Sequence, residues 1–310
     1  MRALLVIVFM LFSLPARGAE ISCLQAYDPQ PLPEELASRL WPSGYRPGAS
    51  ACMQALLQGP IVRGDYEKVL AFVRQHHRAL NVLYLHSTGG DVSEAIRIGR
   101  LVRKSLLNVW APTRNGDHVY MTRPGWQPGQ DIRDVCRGTS CVCASACALI
   151  WFGSVNRYGQ VGLHRPRITD PAYKGLPPAD ASVLYRRVLQ DMTHYLEEME
   201  VPRATIDTMT TTSSAEITFV DADDRSNELE HPPSFVEWIN ANCGTFTAAE
   251  RKIASELQGR DGYAKLRPGA VKPLTAEEMM LSRLLTEKDL ARSRCQTILV
   301  HSKRDALSAP

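Results

Sequence analysis

Apolar and polar positions change rhythm several times along the chain, and each rhythm predicts an element. Met53 to Ile61 is an apolar segment ending in Gly59-Pro60-Ile61. Tyr66 to His77 carries Val69, Leu70, Phe72 and Val73 at helical spacing. Ala79 to Leu85 is almost continuously apolar, as suits a parallel strand buried on both faces. It stops at the tight turn His86-Ser87-Thr88-Gly89-Gly90-Asp91. Ser93 to Lys104 reads as an amphipathic helix, and Leu106 to Ala111 as a second short strand. Residues 112–142 break the rhythm with Gly, Pro, Arg and Asp, and read as an inserted loop. Ala144 to Phe152 is a compact apolar helix. Tyr158 to Leu163 is a strand ending at His164, Pro166 to Pro178 a loop, and Ala179 to Met199 a long helix. Residues 20–51 are Pro-rich and read as irregular. After His231-Pro232-Pro233 the chain becomes helical and charged, a C-terminal extension over 231–310. Alternating strands and helices over 52–230 predict an α/β core with a largely parallel sheet.

The N-terminus follows a different logic. Met1-Arg2, the apolar run Ala3 to Leu14, and the small residues Ala16, Gly18 and Ala19 form the pattern of a secretory signal over 1–19. The cut falls after Gly18 or after Ala19. The run is shorter than the ~20 residues of a membrane span, and no later segment is apolar enough to cross. Export, most simply to a periplasm, is the expectation; a retained signal anchor in the inner membrane is the alternative. The eight cysteines, Cys23, Cys52, Cys136, Cys141, Cys143, Cys147, Cys243 and Cys295, all follow the signal. An even count in an exported chain favours disulfides. Proximity suggests Cys23–Cys52 and Cys243–Cys295; a bridge from Cys143 to Cys136 or Cys141, if formed, would rigidify the loop presenting Ser145. The spacing from Cys136 to Cys147 matches no zinc pattern, so neither metal nor cofactor is expected. A net charge of +3 over 310 residues excludes an electrostatic case for nucleic acid.

Three short stretches carry candidate chemistry. Ser87-Thr88-Gly89-Gly90-Asp91 joins a buried strand to a helix, and its glycines let backbone amides face a ligand anion. Cys143-Ala144-Ser145-Ala146-Cys147 sets a serine among small residues just before an apolar helix. Gly162-Leu163-His164-Arg165-Pro166 sets a histidine at a strand end, where it can serve a serine as general base. Each has a plain structural reading alone: a turn, an N-cap serine, a loop-holding histidine.

In order, with Gly59-Pro60-Ile61 ahead of them, these stretches resemble the ClpP (Clp protease proteolytic subunit)/crotonase superfamily, and more closely its exported bacterial branch with a C-x-S-A-C-A motif. The resemblance covers roughly residues 52–230. It implies a spiral core of repeated β-β-α units. It also implies Ser145 as nucleophile, His164 as general base, the amides of Gly90 and Ala146 as an oxyanion hole, and Gly89 as the residue shaping the turn. The acid of such a triad aligns near Met209, which cannot orient an imidazole. Asp207 is the nearest candidate and Asp191 another, with a Ser–His pair oriented by water or backbone as the remaining option. Relatives with a Ser–Lys pair exist, and Lys174 is the lysine available here. The resulting expectation is an exported serine hydrolase, a peptidase acting on peptide or protein substrates with no ATPase partner. The alternatives are a non-catalytic binding or scaffold protein on the same fold and a metal-binding redox protein built on the cysteines. Composition and pattern leave the oligomeric state open.

Overall fold

The computed structural model describes residues 18–26, 33–44, 46–48, 50–115, 118–121, 136–137, 141–168, 171–222, 228–266 and 271–306. The expected signal up to residue 17 and most of the inserted loop lie outside these residues. The chain runs β1 (Glu20–Ala26), α1 (Glu34–Leu40), β2 (Cys52–Gln58), α2 (Asp65–His76), β3 (Val82–His86), α3 (Val92–Lys104) and β4 (Asn108–Trp110). The insertion contributes β5 (Thr113–Asn115), β6 (His118–Met121) and β7 (Cys136–Arg137). Then come α4 (Ala146–Phe152), β8 (Asn156–Tyr158), β9 (Gln160–Leu163), α5 (Pro171–Lys174), α6 (Pro178–Glu198), α7 (Arg203–Thr211) and β10 (Thr218–Asp221). Helices α8 (Pro233–Cys243), α9 (Ala248–Leu266) and α10 (Ala276–Ala306) close the sequence.

The fold is mixed α/β around a mostly parallel sheet. Among the described residues its order is β1-β2-β3-β4-β8. Strands β2, β3, β4 and β8 run parallel, and β1 pairs antiparallel with β2 at the edge. The apolar run predicted for β3 has its physical reason here. Leu83 and Leu85 face the main core, where α2, α3 and α4 pack. Val82 and Tyr84 face a second cluster with Leu56, Cys141 and Cys136. The end of the insertion thus covers the far face of the sheet. Helix α3 starts at Asp91, whose carboxylate accepts the Glu94 amide at 2.9 Å. Its apolar face, with Ala95, Ile98 and Val102, is fully buried. Helix α4 is buried on every side, as an all-apolar helix requires.

Several sequence expectations change. The loop expected over Pro166 to Pro178 contains the short helix α5, and the insertion expected as loop contains β5, β6 and β7. Residues 20–51 are not irregular throughout: Glu20–Ala26 is an edge strand and Glu34–Leu40 a helix. The strand's weak apolar alternation is supplemented by backbone pairing to β2 and by the Cys23–Cys52 disulfide. The stretch Tyr158–Leu163 is two strands, because Gly159 at φ 79° turns the chain from β8 in the main sheet to β9 beside β10. The C-terminal helices return to the core. The Arg304 guanidinium donates to the carbonyls of Leu80, Ser105 and Leu106. Asp305 accepts from Ser43 and pairs with Arg78 at 3.1 Å. Cys243–Cys295 ties α8 to α10.

Candidate functional site

A narrow row of parallel bridges runs off the end of the main sheet: Ile61 with Gly90, Ser87 with Cys143, and Ala144 with Gly162. It brings the three candidate stretches into one layer. Ser87 anchors the first. Its buried hydroxyl accepts the Gly89 amide at 3.1 Å, and its own amide and carbonyl bond to Val142 and Ala144. Gly89, at φ 102°, and Gly90, at φ 143°, adopt conformations that side chains disfavour. A Cβ on Gly89 would lie 2.6 Å from the Cβ of Ser145, so the turn and the serine are in direct contact. Gly89 carbonyl and Asp91 amide both bond to Ile61, at 2.9 and 2.8 Å. The Gly90 amide therefore points the other way, and Gly90 is solvent-exposed.

Ser145 sits between two almost fully buried alanines, Ala144 and Ala146. Its backbone is at φ 59°, ψ −126°, a region used by glycine in type II′ turns. Such strain costs about 1–3 kcal/mol and persists only where the surroundings impose it. Three contacts do so. The Ser145 amide donates to Gly162 at 2.8 Å, the Ser145 carbonyl accepts from Ala148 at 2.9 Å, and Gly89 closes the third side. Around them Cys143 and Cys147 form a disulfide across the turn. The expected partners of Cys143 are corrected accordingly: Cys136 and Cys141 bond each other. Cys143 and Cys147 lie four residues apart across one strand-to-helix turn, which is what brings them together. The plain N-cap reading of Ser145 also fails, since its side chain makes no cap hydrogen bond. Among the described residues no acceptor meets the amide of Gly90 or of Ala146.

His164 follows β9 directly, two residues after Gly162. Its Nδ1 lies 2.8 Å from the Arg165 carbonyl. A carbonyl only accepts, so Nδ1 is the donor in this contact and carries a proton. No hydrogen bond joins His164 to Ser145. Asp207 is on α7, about half exposed, with its carboxylate on Arg203 at 3.0 Å. Asp191 and Lys174 are exposed on α6 and α5, and Met209 is buried core. The described contacts bring none of the four to His164. Strand β10 and the residue before it add what the sequence pattern did not signal: Ile217 and Phe219 stand over Gly162, with 49% and 38% of their surface exposed. Ser87 lay in the first candidate stretch without a role of its own; its signal is the Ser-x-Gly spacing that lets a hydroxyl bond the amide two residues on.

Two arginines hold the C-terminal end of α4, away from Ser145. Arg157 is fully buried and donates to the carbonyls of Phe152, Met199 and Leu229. Arg103 donates to Phe152, Gly153, Ser154 and Met199. Burial, then the neighbouring Arg103, pushes the Arg157 pKa down to about 9. Together they satisfy the orphan carbonyls at the ends of α4 and α6.

No family model matches this chain. No curated protein matches it in sequence. Among solved structures, a mutant ClpP1 from Listeria monocytogenes is similar at 12% identity and a TM-score of 0.38, over 58% of this chain and 88% of that one. A likeness that distant transfers neither an activity nor a site.

Proposed function

We propose that the protein is an exported serine hydrolase, most simply a peptidase on a ClpP/crotonase-like spiral core, with Ser145 as nucleophile. The observation that carries this reading is the strained backbone of Ser145, held at φ 59°, ψ −126° with its hydroxyl off cap duty. A serine on a strained strand-to-helix turn is how hydrolases expose a nucleophile above a sheet. His164 would take the serine proton at Nε2, with the Arg165 carbonyl orienting the ring in place of a carboxylate. The amides of Gly90 and Ala146 would receive the charge developing on the substrate carbonyl oxygen. Small neighbours at 144 and 146 leave room for that carbonyl. Ile217 and Phe219 would offer an apolar contact to a peptide side chain. Asp207, tied to Arg203, has no part in this scheme. Closure of all eight cysteines into four disulfides supports an oxidising compartment, hence a peptidase without an ATPase partner.

The second reading, a binding or scaffold protein on the same fold, is favoured by one observation: among the described residues His164 has neither a carboxylate partner nor a bond to Ser145. Labelling of the oxidised protein with a fluorophosphonate separates the two. Labelling lost in both Ser145→Ala and His164→Ala establishes the hydrolase; no labelling of well-folded protein establishes the binding protein.

A further inference from the structure

We propose that the chain is cut between Gly18 and Ala19, and that the α-ammonium so created forms a buried ion pair with Asp65. This rests on the export reading above. Ala19 is 3% exposed and belongs to the main core. Its nitrogen lies 2.9 Å from Asp65 Oδ2. The Asp65 side chain is 1% exposed, and its other partners are the Val62 amide at 2.8 Å and Lys68 Nζ at 2.7 Å. Lys68 is more than half exposed, so its ammonium is shared with water. A carboxylate this deeply buried calls for a cation that is buried with it. The first turn of α2 supplies none, whereas a newly formed terminus at Ala19 would.

The sequence around the bond agrees. A leader peptidase reads small residues one and three positions before its cut. Cutting after Gly18 uses Gly18 and Ala16. Cutting after Ala19 would put Arg17 in the third position and discard the nitrogen that meets Asp65. Gly18 also has no space for a side chain, since a Cβ there would lie 2.5 Å from both Asp65 Oδ1 and Val62 Cγ2. In the reaction, water adds across the Gly18–Ala19 amide. The carboxylate leaves with Gly18, and the amine takes a proton and stays on Ala19. A bond packed this tightly is open to a peptidase only before β1 seats, so the cut precedes the last step of folding. The pair then couples correct processing to a stable edge strand.

The test has two arms. First, the protein is exported from a bacterium, and its intact mass and N-terminal sequence are read. Ala19 as first residue supports the proposal, and Glu20 or any other cut overturns it. An uncut Met1 protein overturns the cut: found in the cytoplasm it takes the export reading with it, whereas held at the membrane it leaves that reading standing as a signal anchor, and the ion pair passes to the second arm. Second, purified chains starting at Ala19, at Gly18 and at Glu20, and an Ala19 chain acetylated at its amine, are compared by denaturant unfolding. The Ala19 chain should have a folding equilibrium constant ~10- to 100-fold above the other three. Starting at Gly18 keeps the N–H and moves only the charge, so equal stability of the Gly18 and Ala19 chains would overturn the ion pair. Asp65→Asn should erase the effect of acetylation. If that variant does not fold, the four wild-type chains decide alone.

Discussion

Gly90→Ala tests the layer on which the whole site rests. The added methyl would collide with the Ile61 carbonyl oxygen and come within 2.9 Å of the Ile61 nitrogen and carbonyl carbon. None of these atoms is the tip of a flexible side chain, so the strand must part. Two backbone hydrogen bonds then go, Ile61 to Gly89 and Asp91 to Ile61. Each is worth ~1 kcal/mol. An alanine held at φ 143° adds ~1–3 kcal/mol. The total is ~3–5 kcal/mol of lost stability. The control is Gly259→Ala, at an exposed helical position in α9 where a Cβ meets nothing within 4 Å. There the same substitution should stabilise by ~0.5–1 kcal/mol. Urea unfolding followed by tryptophan fluorescence, with disulfides intact, measures both. If Gly90→Ala stays within ~1 kcal/mol of the parent, or both variants shift the same way, the close approach of Ile61 to Gly90 is refuted.

Other perturbations separate the remaining forces. Replacing Cys243 and Cys295 by serine opens a 52-residue loop and should cost ~4 kcal/mol on a chain-entropy basis, against ~2 kcal/mol for the four-residue Cys143–Cys147 loop; calorimetry that reverses this order contradicts the assignment. The Cys143→Ala/Cys147→Ala protein should stay folded but react more slowly with a fluorophosphonate, and unchanged reactivity would mean the bridge does not hold Ser145 in place. His301 packs edge-on to Trp41, and burial plus nearby Arg304 pushes its pKa from 6.5 down to about 4. The unfolded chain therefore binds a proton that the folded one refuses, so stability should fall as pH drops from 6.5 toward 4, with a slope of up to ~1.4 kcal/mol per unit. Unfolding measured between pH 6.5 and 4.5 avoids Glu250 and Glu278, whose pKa values are held down to about 2 by Lys288 and Arg260 and whose contribution is lost only below 4.5; His301→Gln should flatten the slope there. Arg157→Met should destabilise by ~2 kcal/mol or more, because the Leu229 carbonyl loses its donor and those of Phe152 and Met199 keep only Arg103, and a thermal melt within a degree of the parent would contradict that role.

What the sequence determined by itself is local. The apolar run around Leu83 and Leu85, the amphipathic stripe of α3 and the all-apolar α4 each announced element and environment together. They could, because a strand buried on two faces and a helix buried all round leave an unbroken record in side-chain type. Ser145 and His164 were legible as candidates for the same reason: small residues and a strand end are written beside them. Two disulfides followed from order along the chain. Tertiary structure decided what depends on distant partners. Edge strand β1 has little pattern of its own and is held by pairing to β2 and by Cys23–Cys52. Cys143 pairs with Cys147 because a strained turn folds them onto one another, a geometry that spacing alone does not distinguish from its neighbours. Arg157 sits in the core because three carbonyls from separate elements converge on it. Asp207, plausible by position, is turned to Arg203 by its own helix, and the imidazole of His164 is oriented by a backbone carbonyl that no residue type encodes. Backbone groups carry no letter, so a site built largely from amides and carbonyls becomes visible only when the chain is folded.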